Sequence, residues 1–242
     1  MIDFMTITAE NNRYTCCIEI HFSTTLASIS GLDKIIVNRK VDGTTTWRKI
    51  FEKEVSVRDD LFFTLSDILV IPYNSYVYSV DLVLGSNPPS LTQMLDPVEC
   101  SYEGLFVGNS DKQFIATASY ETEAKLNTQV QYVNTLNGRT PYRVSNAETC
   151  YYTGSSSGLF LEVDMDTGKL IPDNDHMRSV SVADFLTDGT DKLLKTEEGQ
   201  IWYVSIDETV DLPFNDRYIG MNAVQFNWTE VGDLPLAWVV ES

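Results

Sequence analysis

The stretch Thr15-Cys16-Cys17-Ile18-Glu19-Ile20-His21-Phe22 alternates: Cys16, Ile18, Ile20 and Phe22 fall on one side of an extended chain, and Thr15, Cys17, Glu19 and His21 on the other. A period of two is the mark of a strand that buries one face. The run Tyr76 to Leu84 repeats it, with Tyr76, Tyr78, Val80, Leu82 and Leu84 inward and Ser79 and Asp81 outward. Between the two, Lys34 to Arg39 and Trp47 to Val55 flank Val41-Asp42-Gly43-Thr44, where Asp-Gly predicts a hairpin. The first 85 residues therefore read as a small antiparallel sandwich.

The pattern continues outward from there. Gly85-Ser86-Asn87-Pro88-Pro89-Ser90 predicts a linker, because two prolines remove ladder donors and the small polar residues disfavour regular structure. Strands are expected again over Gln113 to Tyr120, Leu126 to Val133, Gly158 to Met165, Lys192 to Lys195, Gln200 to Ile206 and Asn222 to Val231. Asn137-Gly138, Gly154-Ser155-Ser156-Ser157-Gly158 and Asp166-Thr167-Gly168-Lys169 read as turns or tips. One stretch breaks the period: in Ser179 to Leu186 the residues Val182, Phe185 and Leu186 sit three and four apart, with Ser179 or Ser181 as a cap and Gly189 just beyond, so a single short helix is expected. The expectation is a mainly β chain, with residues 1–90 one domain and residues 100–242 another.

Composition narrows the function. The chain has 242 residues, 35 acidic and 17 basic, for a formal charge of −18, and lacks the clustered lysines and arginines that phosphate neutralisation needs. Nucleic acid is not an expected partner. No apolar run approaches the roughly 20 residues that span a bilayer, and Met1-Ile2-Asp3-Phe4 does not open a signal peptide, so no membrane role is expected. Cys16, Cys17, Cys100 and Cys150 form neither a disulfide framework nor a metal knuckle and read as reduced thiols.

Chemistry-bearing motifs are sparse. His21 lies on a polar strand face and His176 in an acidic loop, neither beside a nucleophile motif, and the many acids nominate no particular pair for glycoside hydrolysis. Asp164, Asp166, Asp173 and Asp175 lie within twelve positions and form a candidate weak calcium site, which hairpin turn chemistry explains equally well. No cofactor is expected. Tyr151, Tyr152, Trp202, Tyr203, Trp228 and Trp238 are either core or interface aromatics or a sugar-stacking platform.

Two stretches carry family resemblances. Val70-Ile71-Pro72-Tyr73-Asn74-Ser75-Tyr76-Val77-Tyr78-Ser79-Val80 resembles the fibronectin type III pattern in which Pro precedes a Tyr that opens a strand; the resemblance makes Tyr76 the tyrosine-corner residue, its hydroxyl bonded to nearby backbone. The part from about 100 to 233 resembles minor tail and baseplate structural proteins of tailed bacteriophages and prophages of Gram-positive hosts. The segments that carry this are Tyr102-Glu103-Gly104-Leu105-Phe106-Val107-Gly108, Asn137-Gly138-Arg139-Thr140-Pro141-Tyr142, Ser157-Gly158-Leu159-Phe160, and Val182 to Gly189 leading into Lys192-Leu193-Leu194-Lys195. Gly199-Gln200-Ile201-Trp202-Tyr203-Val204 and Phe226-Asn227-Trp228-Thr229-Glu230-Val231-Gly232-Asp233 complete the set.

That resemblance implies a β-barrel-like domain with one helix that assembles into a homo-oligomeric ring with other tail proteins, located in the virion tail and assembled in the host cytoplasm. It implies no catalytic residues, and it places Trp202, Phe226 and Trp228 at the ring interface. The alternative is a carbohydrate-binding module of a tail fibre or adhesin, in which Tyr151, Tyr152 and the stretch Gly154 to Gly158 contact host glycan.

Overall fold

The structure, a computed structural model, describes residues 5–25, 32–85, 91–116, 119–134, 139–164, 169–170, 177–212, 223–234 and 239–241. The chain is mainly β. Its first part forms β1 (Met5–Asn12), β2 (Cys17–Thr24), β3 (Leu32–Val41), β4 (Arg48–Glu54), a 3-10 turn at Arg58–Leu61, β5 (Phe63–Asp67), β6 (Ser75–Leu84), β7 (Leu91–Met94) and β8 (Val98–Glu99). These build two antiparallel layers, β1-β2-β5 in one and β4-β3-β6-β7 in the other, with β8 also on β6. Ile18, Ile20, Ile35, Val37, Leu65, Tyr78, Val80 and Leu82 are fully buried in one apolar cluster, and Phe22 stacks on Phe63 at 4.3 Å.

A polar bridge crosses this core. Arg39 on β3 donates through Nη1 to both Asp67 carboxylate oxygens on β5 at 2.6 and 2.7 Å and to the Leu69 carbonyl at 3.1 Å, while the Tyr78 hydroxyl donates to Asp67 at 3.0 Å. Burial opposes the guanidinium's charge, and Asp67 outweighs that penalty, so the Arg39 pKa lies above its ordinary value. Tyr76 opens β6 and its hydroxyl accepts the Ile71 N–H at 3.0 Å. The Asp42-Gly43 turn joins β3 to β4, with Gly43 at φ 78° and the Thr44 N–H donating to the Val41 carbonyl at 3.1 Å.

The expected alternation fails at the start of the opening stretch, where Thr15 and Cys17 of the expected polar side are both buried. Cys16 lies in the turn before β2 at φ 52°, and both it and Cys17 are buried. Cys17 gains a polar contact on its own side, Sγ to the Thr15 hydroxyl at 2.8 Å, so a thiol on the expected polar face is accommodated without water.

The second part forms β9 (Leu105–Gly108), β10 (Gln113–Ala116), β11 (Glu121–Val133), β12 (Tyr142–Gly158), β13 (Leu161–Asp164), β14 (Lys169–Leu170), α1 (Met177–Leu186), β15 (Lys192–Thr196), β16 (Ile201–Asp211), β17 (Val224–Gly232) and β18 (Val239–Glu241). Nine strands make one sheet in the order β11-β12-β17-β16-β15-β9-β10-β13-β14; its end strands are not paired to each other among the described residues. Helix α1 begins two residues before the expected start and buries Val182, Phe185 and Leu186 against this sheet. Gly189 follows at φ 79°, and Lys192 ties the turn by donating to Asp188 Oδ1 at 2.6 Å and to the Thr190 carbonyl at 2.9 Å.

Gly154 to Gly158 is a correction. Instead of a tip it is the end of β12, paired on both sides, with β11 and with β17. The reason is space: a Cβ on Gly154 would stand 2.1 Å from the Glu123 carbonyl oxygen and 2.5 Å from the Trp228 ring, and one on Gly158 would stand 2.8 Å from the Ala116 Cβ. Gly154 is small because a tryptophan lies across it, and Gly158 because Ala116 and Tyr120 crowd it.

The two parts interlock. Strands β7 and β8, beyond the expected linker, still pair with β6, and β18 from the far end of the chain pairs with β5. Tyr102, Phe106, Ile115 and Leu193 join the first core cluster. Lys195 on β15, fully buried, donates to the Ile68 carbonyl at 2.8 Å and to the Cys16 carbonyl.

Candidate assembly surface

Trp202, Phe226 and Trp228 are not at a surface. They are 5%, 1% and 1% exposed, within the second core cluster, so the expected ring-interface role of these side chains is corrected by the packing. Trp202 and Trp228 meet at 5.0 Å between ring centroids, Tyr152 reaches Trp202 at 6.0 Å and Phe160 reaches Phe226 at 6.0 Å. The Trp228 indole N–H donates to the Ser156 hydroxyl at 3.0 Å. Alternation along β16 and β17 places these rings on the inward face, and the sequence carries no mark that separates an inward face from an oligomer contact.

The same burial takes Trp202 and Trp228 out of the candidate sugar platform. No flat ring of Trp202 or Trp228 faces water, and Tyr151 and Tyr152 are half-buried within β12. Beside them an open cleft of about 350 Å³ is lined by Glu123, Lys125, Gly154, Asp207, Asn227 and Trp228, among others, so its lining is mostly polar. Of the candidate calcium ligands, Asp164 ends β13, and Asp166, Asp173 and Asp175 lie outside the described residues, as do His176, Trp238, residues 86–90 of the expected linker and the Asn137-Gly138 turn. Among the described residues one His/Cys/Asp/Glu group is compact enough for an ion: Glu10, Glu19 and His21.

What does project from the body is a ribbon. β11 pairs with β12 from Glu121 opposite Ser157 to Val133 opposite Tyr142, with a bulge between Thr128 and Gln129. β12 pairs with β17 only from Thr153 to Gly158. Residues 126–133 and 142–152 therefore have no strand neighbour but each other among the described residues. At the rise of an antiparallel strand this two-stranded arm is about 25 Å long. Where the ladder to β17 stops, the Glu230 carboxylate accepts the first free N–H, that of Tyr152, at 2.8 Å.

The arm is exposed on both faces. Leu126, Tyr132, Val133 and Val144 are 54%, 67%, 47% and 54% exposed. An isolated two-stranded ribbon is marginally stable in water, and its unpaired edge and apolar side chains are surfaces that a partner covers. Its charge is also unlike the rest of the molecule. The stretch 124–147 holds Lys125, Arg139 and Arg143 and none of the chain's 35 acidic residues. All three bases are exposed.

No helix among the described residues is long and apolar enough to cross a membrane. Comparison with known proteins adds little: no protein-family model and no curated protein matches the chain. A chain of a solved structure described as "Virion of native gene transfer agent (GTA) particle" is similar at 15% identity over 56% of this chain and 98% of its own length, with a TM-score of 0.29. A superposition at that score carries no weight for fold or role, so function is read from this chain's own residues.

Proposed function

We propose that this chain is a structural protein of a phage-type virion, at the tail tip, the baseplate or an adaptor ring, and that it works by homo-oligomeric assembly beside other tail proteins. The observation that carries the reading is the β11–β12 arm: a ribbon too thin to be stable alone, apolar on its exposed faces, and basic on an acidic molecule. The partner that fits it is the acidic body of a second copy. Such a head-to-tail contact closes into a ring when the rotation allows, and charge complementarity sets its register. The segments that resemble minor tail proteins fall on β9, β12, α1, β15, β16 and β17, the sheet from which the arm extends. In this reading residues 1–90 form a fibronectin-like sandwich that decorates the ring. Tyr76 is its corner residue. No catalytic role is assigned.

The test has two arms. Peptide mass spectrometry on density-purified particles from the source is expected to find the chain at a fixed low copy number relative to the tail tube subunit. The purified chain is expected to form a discrete oligomer at low salt that Arg139→Glu with Arg143→Glu converts to monomer. Absence from particles together with a monomer under all conditions overturns the reading and turns attention to glycan binding at the cleft beside β12.

A further inference from the structure

The compact polar cluster on the first sheet lies far in sequence from the arm and is independent of it. Glu10 and Glu19 face each other directly across the β1–β2 ladder, and like charges in that position repel. His21, two residues along β2 on the same face, places Nε2 3.1 Å from Glu10 Oε1 and 3.7 Å from Glu19 Oε2. All three ligand atoms lie within 4.8 Å of one another.

Two further groups hold the set in place. The other ring nitrogen of His21, Nδ1, is 3.0 Å from the Thr64 hydroxyl on β5. The other oxygen of Glu19, Oε1, accepts from Asn12 Nδ2 at 2.7 Å. The imidazole and one carboxylate are thus each oriented from behind by a separate side chain, the arrangement by which proteins fix metal ligands.

We propose that Glu10, Glu19 and His21 bind a divalent transition ion of the zinc type. Bonds of about 2.0–2.2 Å in tetrahedral geometry separate neighbouring ligand atoms by about 3.4 Å, and the separations from His21 to the two carboxylates bracket that distance. A nitrogen ligand with two carboxylates suits Zn²⁺ or Co²⁺, whereas calcium takes 6–8 oxygens that this site does not offer. Three protein ligands leave one position for water, on the side of Glu10, whose side chain is 69% exposed. The ion cancels the carboxylate repulsion and clamps the edge strand β1 to β2.

The test is titration of the full chain, purified metal-free, with ZnCl₂ by calorimetry and with CoCl₂ by visible absorption. One Zn²⁺ per chain is expected, with the intense bands of four-coordinate cobalt. His21→Ala and Glu10→Gln should each abolish the bands, and Thr64→Val should weaken binding about 10–100-fold. Glu10 is exposed, so Glu10→Gln keeps the fold, and unchanged melting of that variant separates a lost ligand from a lost structure. No saturable Zn²⁺ binding, or binding that survives both His21→Ala and Glu10→Gln, overturns the proposal; the cluster is then an ordinary histidine–carboxylate ion pair.

Discussion

Trp228 is where the largest single cost of substitution is expected. It is 1% exposed, touches Trp202, donates to Ser156 and covers Gly154, so truncation leaves a cavity under β12 and leaves the Ser156 hydroxyl with Thr122 alone as its side-chain partner. Trp228→Ala should lower stability by about 3–5 kcal/mol. Chemical denaturation checks this, and a variant as stable as the parent would contradict the placement of the ring in the core. Gly154→Ala acts on the same contact from the other side: its methyl meets a backbone carbonyl that cannot move without breaking the ladder, and a loss of about 1–3 kcal/mol is expected.

The elements differ in what they contribute to fold and to assembly. β15 is buried along its whole length, whereas the described outer part of the β11–β12 arm is exposed. Changes in the arm should therefore separate the two effects. Arg139→Glu with Arg143→Glu is expected to shift the oligomer to monomer while the melting temperature of the monomer stays unchanged, as read by light scattering and circular dichroism. The parent oligomer should also weaken as salt rises, because the screening length falls from about 10 Å at 0.1 M to about 3 Å at 1 M. Equal elution of parent and variant at low salt would remove the arm from the contact.

At the scale of the whole molecule, two cores share one set of buried polar and thiol groups. Lys195 reaches from the nine-stranded sheet to carbonyls of Cys16 and Ile68 in the first core. Lys195→Met leaves those carbonyls without a donor, each costing about 1–3 kcal/mol, and should lower the melting of both parts together. Independent transitions would show that the parts are not coupled through it. The thiols give a second reading. Burial pushes Cys16 and Cys17 up to about 12 and Cys100 up to about 11, from an ordinary 9.0.

The folded chain thus keeps three protons that the unfolded chain releases. The stability this provides is full below pH 9 and is lost as pH rises from about 9 towards 11 and 12. Lys195, whose pKa burial lowers, works in the opposite direction, whereas Tyr76, Tyr78 and Tyr102, raised by burial, add to the loss. Melting temperature in reductant should fall through this window, and a flat profile would contradict it. Below it, a thiol reagent should modify exposed Cys150 rapidly and the other three only after unfolding.

The sequence alone determined the class of fold. A period of two sets which side chains of a strand share a face, and that is a local property: Ile18, Ile20 and Phe22, then Tyr76, Tyr78, Val80 and Leu82, are buried where the alternation puts them. β6 also buries Val77, Ser79 and Val83 on the face expected to be polar, because it is covered on both sides. The Asp42-Gly43 hairpin and the helix before Leu193 were legible for the same reason, since turn and cap chemistry act within a few residues. β1 was not among the expected strands, although its buried Met5 and Ile7 alternate with exposed Thr6 and Thr8. What local pattern cannot encode is which strand lies opposite. Gly154 to Gly158 has the composition of a loop, and pairing with β11 and β17, distant in sequence, makes it a strand, with Trp228 lying across Gly154.

Likewise, alternation marks Trp202, Phe226 and Trp228 as one-sided but does not say whether that side meets this chain or another. Only the tertiary structure decided that it meets this chain. It also set a basic, solvent-exposed ribbon apart from an acidic body, and brought Glu10, Glu19 and His21 together on one face, because register across strands fixes distances that spacing along a strand leaves open.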